Sequence, residues 1–170
     1  MEAKEFMLND LVYRKEHLEF HKPVPRSVVK IDGVMDNDMI TFAPHSEFLA
    51  MDEIEPIPLT AEILEKNGFE LTEIPDEYYN YYNDFEPSRF WEYSTDTKES
   101  LNINIKIDEN VNTSIDVHNG DGVQMLQYFT DRNILYVNEL QHALRFVGLN
   151  EVADNLKVIK WQTKKKQTKN

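Results

Sequence analysis

The chain has 170 residues, enough for one domain or two small lobes, and its 41% apolar and 29% charged residues mark a globular rather than a disordered protein. It contains no cysteine, which excludes disulfides, thiolate zinc sites, iron–sulfur clusters and cysteine nucleophiles together. Six of the 18 basic residues follow the last of the 31 acids, Asp154, so residues 1–156 carry a net −19 and the last fourteen carry +6. A body this acidic repels nucleic acid and lipid phosphate, which leaves only a weak nucleic-acid contact to the basic tail.

In chain order, residues 1–58 read as short strands separated by turns. Leu11-Val12-Tyr13, Val28-Val29-Lys30-Ile31 and Met39-Ile40-Thr41-Phe42 are β-rich runs, Asp32-Gly33 and Asp36-Asn37-Asp38 supply turn chemistry, and Pro23, Pro25 and Pro44 deny a helix. This predicts a small β-barrel or roll of SH3-like size as an N-terminal lobe.

Residues 59–162 predict an α+β lobe. Thr60 has the side chain of an N-cap, Leu59 and Leu64 stand at the two staple positions, and Gly68 follows as a left-handed stop with Phe69 able to fold back. A short helix over 60–67 results. Residues 74–93 then concentrate aromatics and acids: Tyr78, Tyr79, Tyr81, Tyr82, Phe85, Phe90, Trp91 and Tyr93 among Asp76, Glu77, Asp84 and Glu86. Phe90 to Tyr93 reads as a strand. Leu101, Ile103, Ile105 and Ile107 alternate with Asn102, Asn104, Lys106 and Asp108, a strand with one wet face. Ile115-Asp116-Val117 and Met125–Phe129 continue an antiparallel meander. Val137, Leu140, Ala143, Leu144 and Val147 share one face of a C-terminal helix over 136–147, which Gly148 ends. Asn150 is placed to cap a shorter segment, Glu151 to Leu156. Residues 163–170, lysine-rich and without an apolar side chain, read as a basic disordered tail.

Catalytic signatures are scarce. His17 and His21 have metal-binding helical spacing, but Pro23 and Pro25 oppose a helix there, and a surface pair is the simpler reading. Asp36 with Asp38, and Asp116 with Asp121, fall short of a calcium loop, so no metal is assigned. Gly120-Asp121-Gly122 lacks the remainder of a phosphate loop, and no serine lies in a nucleophile elbow. Neither a catalytic residue nor a cofactor is expected. No run reaches the roughly 18 apolar residues of a membrane span, and the first five residues lack signal-peptide order, so the expected compartment is the cytoplasm.

Two segments resemble a family of small proteins without an assigned activity, common in gut Bacteroidetes genomes, their mobile elements and their phages. The first is Ile54-Glu55-Pro56-Ile57-Pro58-Leu59-Thr60-Ala61-Glu62-Ile63-Leu64-Glu65-Lys66-Asn67-Gly68-Phe69-Glu70. The second is Tyr136-Val137-Asn138-Glu139-Leu140-Gln141-His142-Ala143-Leu144, where Asn138 stands in place of the family's frequent His. The resemblance implies an α+β fold with an N-terminal β unit and a bacterial or phage origin, with host cytoplasm as the compartment in the latter case.

The functional expectation is a non-enzymatic accessory or interaction protein that binds a protein partner through residues 74–93. Tyr78, Tyr79, Tyr81, Tyr82 and Trp91 supply contact rings, and Asp84 and Glu86 attract a basic partner. Two alternatives stand beside it. One is a small-molecule or nucleotide binder, or an enzyme with dispersed residues, using a pocket between lobes. The other is an acidic inhibitor that imitates nucleic acid, which requires carboxylates arrayed on one face.

Overall fold

A computed structural model describes residues 6–19, 22–24, 26–35, 39–42, 47–73, 89–95, 101–106, 113–130, 132 and 134–158. They form two compact units, one running to Pro56 and taking in Val158, the other comprising Ile57–Lys157.

The first unit is all β among its described residues. Its described strands are β1 (Leu11–Arg14), β2 (His17–Glu19), β3 (Lys22–Val24), β4 (Ser27–Val34), β5 (Met39–Phe42), β6 (Glu47–Ala50) and β7 (Ile54–Pro56), with a 3-10 turn, Met51–Glu53, before β7. β2 and β3 pair as a separate ribbon, and the rest form an antiparallel sheet in the order β6-β5-β4-β1-β7. Alternation selects its buried face: Val12, Val29, Ile31, Ile40, Phe42, Leu49 and Ile54 make one cluster with Phe6. Two arginines flatten onto aromatic rings while pairing with acids, Arg26 over Tyr13 with Glu55 and Arg14 over Phe42 with Glu47. The expected barrel is corrected in one respect: the sheet is open. β6 and β7 occupy opposite edges, and the 3-10 turn carries the chain between them without an extended run that could pair.

The second unit contains α1 (Ala61–Lys66), β8 (Glu70–Glu73), β9 (Arg89–Ser94), β10 (Leu101–Lys106), β11 (Thr113–Asn119), β12 (Gln124–Thr130), α2 (Val137–Phe146) and α3 (Asn150–Asp154). Its five strands form an antiparallel meander, β12-β11-β10-β9-β8. Thr60 Oγ1 accepts the Ile63 amide, and Leu59 and Leu64 are both buried, so cap and staple start α1 together. Both α1 and α2 end in the same hydrogen-bond pattern. Gly68 (φ +83°) donates to Glu65 O while Phe69 donates to Leu64 O, and Gly148 (φ +84°) donates to Arg145 O while Leu149 donates to Leu144 O. Only a residue that tolerates positive φ closes a helix this way. α3 begins one residue earlier than Asn150 capping predicts, with Leu149 at the N-cap position. Ile57 and Leu59 exchange backbone hydrogen bonds with Leu135 and Val137, tying the α1 approach to the α2 approach.

Candidate binding face

Period-two geometry gives the second sheet two chemically distinct faces. One carries Trp91, Ile103, Ile105, Ile115 and Val117, all buried. The helices lie on this side: the Phe69 ring, just past α1, meets Tyr93 of β9 at 5.1 Å, and Tyr128 of β12 donates its hydroxyl to Glu139 of α2 at 2.7 Å.

Across the middle of the opposite face, strand register aligns polar side chains into one transverse row. Glu70 of β8 stands opposite Glu92 of β9, Glu92 opposite Asn104 of β10, Asn104 opposite Asp116 of β11, and Asp116 opposite Gln127 of β12. Neighbouring positions across an antiparallel pair lie about 4.5–5.5 Å apart, so the row is continuous. Neutral donors hold its carboxylates: Thr72 reaches Glu92 at 3.4 Å, while Ser114 at 2.9 Å and Gln124 at 3.3 Å reach Asp116. Among the described residues no cation pairs with Glu70, Glu92 or Asp116. Between the two acids, the buried Asn104 Oδ1 has no hydrogen-bond partner. The row is therefore rich in acceptors and short of donors.

β12, at the edge, is held to α2 by a charged network. Glu139 Oε1 accepts from Tyr128 and from the Arg132 guanidinium, Glu139 Oε2 accepts the Tyr136 amide at 2.8 Å, and Arg132 Nε donates to Thr130 at 2.9 Å. Burial, together with the hydrogen bond to Glu139 and its negative charge, raises the Tyr128 hydroxyl above its ordinary pKa of 10.0. Burial disfavours the Arg132 charge, but Glu139 outweighs it and holds the guanidinium above its ordinary value.

Of the residues expected to contact a partner, Tyr78, Tyr79, Tyr81, Tyr82, Asp84 and Glu86 lie outside the described residues. Trp91 is described and needs correction as a contact ring: it is 8% exposed and sits on the helix-bearing face, because alternation turns it away from Glu92. His17 lies in a strand, which removes the helical spacing, and His21 and His45 are outside the described residues. Among the described residues no three acidic or histidine side chains are grouped to hold a metal ion, and no helix is long and apolar enough to cross a membrane. The acid row was not foreseen as a unit. The alternation in β10 marks Asn104 as wet, but only register brings it between Glu92 and Asp116. Comparison with protein-family models, curated proteins and solved structures finds no match.

Proposed function

We propose that the protein is a non-enzymatic interaction protein that binds a basic protein partner, using residues 74–93 and the outer face of the second sheet that this stretch enters at Glu92. The single observation that carries this reading is the row Glu70–Glu92–Asn104–Asp116, in which, among the described residues, three carboxylates have no cation and an amide oxygen has no donor. An Arg or Lys side chain of the partner completes the row with charge-assisted hydrogen bonds, and Tyr78, Tyr79, Tyr81 and Tyr82 supply contact rings. The resemblance to phage and mobile-element proteins supports an accessory role of the kind such elements carry.

The test is retention of partners from native-host lysate by the full chain and by the Glu92→Gln/Asp116→Asn double variant. A basic protein held by the wild type and lost by the variant supports the proposal. The same proteins held equally by both overturn it.

A second reading is favoured by the carboxylates standing in line: the basic surface engaged is itself a nucleic-acid-binding surface. Competition by duplex DNA for the captured partner separates the two. Displacement by DNA supports mimicry, and indifference to DNA supports an ordinary protein contact.

A further inference from the structure

The two edges of the second sheet are built differently. β8, Glu70-Leu71-Thr72-Glu73, carries two charges in four residues, the usual protection of an edge against pairing. β12, Gln124-Met125-Leu126-Gln127-Tyr128-Phe129-Thr130, carries no charge, proline or glycine in seven. Its outer face is also apolar and open, with Met125 48% and Phe129 58% exposed on either side of Gln127, and Val123 59% exposed just before the strand. In a chain of net charge −13, an uncharged strand edge is where a like-charged copy can approach most closely.

We propose that β12 is a self-pairing edge, and that two copies of the chain join through antiparallel β12–β12 contact into one continuous ten-stranded sheet. The sequence of the strand is self-complementary about Gln127. A two-fold axis there sets Gln127 against Gln127 and Leu126 against Tyr128, and brings Met125, the extra residue of a β-bulge against β11, beside Phe129 of the other copy. The Met–Phe pairs join thioether to ring on the outer face, a favourable contact of two otherwise wet side chains. Charge agrees at the ends. The same register brings the exposed turn residue Asp121 of each copy toward the end where the other carries Arg132. The Tyr128–Glu139–Arg132 network anchors the strand, which is an edge among the described residues, to α2. This contact runs along the strand edge and does not depend on a partner for the acid row.

Because the chain lacks cysteine, a single introduced thiol reads the register directly. Sedimentation equilibrium of the full chain should give twice the mass of one chain as concentration rises, and Gln127→Lys, which opposes like charges at the axis, should return a monomer with an unchanged circular-dichroism spectrum. Under mild oxidation Gln127→Cys should cross-link to itself, since directly opposed Cα atoms fall within the disulfide range. Phe129→Cys should not, its own counterpart lying roughly 14 Å away along the strand. A wild-type chain that stays monomeric at every accessible concentration overturns the proposal. So does a dimer that survives Gln127→Lys, or cross-linking that is equal at 127 and 129.

Discussion

Glu70 and Glu92 face each other directly across β8 and β9, two carboxylates in register with no cation between them among the described residues. Like charges so placed destabilise a sheet, so Glu70→Lys should raise stability in urea by about 0.2–1 kcal/mol. The gain should shrink in high salt as screening weakens the repulsion. Binding of a basic partner should weaken in the same variant. Unchanged stability together with unchanged binding would mean that the pair is neither strained nor used.

Helix α1 rests on its two ends. Thr60→Ala should cost about 0.5–1 kcal/mol by removing the acceptor for the Ile63 amide. Gly68→Val should cost more, about 1–2 kcal/mol, because a β-branched residue is forced to φ +83°. Denaturant midpoints of both variants check the order, and Gly68→Val milder than Thr60→Ala would contradict it.

Tyr128 makes part of the stability pH-dependent. Its folded pKa is raised, so its contribution is fully present below the ordinary value of 10.0 and is lost as pH climbs through the folded pKa. Tyr128→Phe should cost about 0.5–1.5 kcal/mol at neutral pH, the worth of its hydrogen bond to Glu139. The gap between wild type and variant should narrow above pH 10. Urea unfolding at neutral and alkaline pH measures it, and a constant gap would separate Tyr128 from the effect.

Much of the second unit was legible because its signals are local. Thr60, Leu59, Leu64 and Gly68 specify α1 within one short segment, and the alternation of Leu101 to Ile105 specifies β10 and its wet face. β8 was not foreseen, since Glu70-Leu71-Thr72-Glu73 has one apolar residue and becomes a strand only by pairing with β9. β6 and β7 were missed for the same reason: each is four residues or fewer and owes its form to a neighbour. The acid row was illegible because it is a property of register, which joins residues as distant as Glu70 and Asp116. Trp91 was misread because composition groups it with the tyrosines before it, whereas alternation in β9 turns it inward.

That inward position sets a contrast between aromatics. Trp91→Ala should cost about 3–5 kcal/mol as a large core truncation. Alanine at Tyr78, Tyr79, Tyr81 or Tyr82 should leave stability within about 0.5 kcal/mol at two positions at least, as surface changes do, while weakening partner retention at those positions. Thermal unfolding of the five single variants compares them. Four strongly destabilising tyrosine substitutions would remove these rings from the contact surface.

The most direct measurement of the central claim is an NMR titration of the full chain with a hexa-arginine peptide. Saturable shifts are predicted at the Asn104 side-chain amide and at the backbone amides of Glu70, Glu92 and Asp116, weakened by salt and lost in Glu92→Gln/Asp116→Asn. Shifts spread without saturation over every acidic surface, or binding equally strong in the double variant, would contradict a specific basic-partner site on this face.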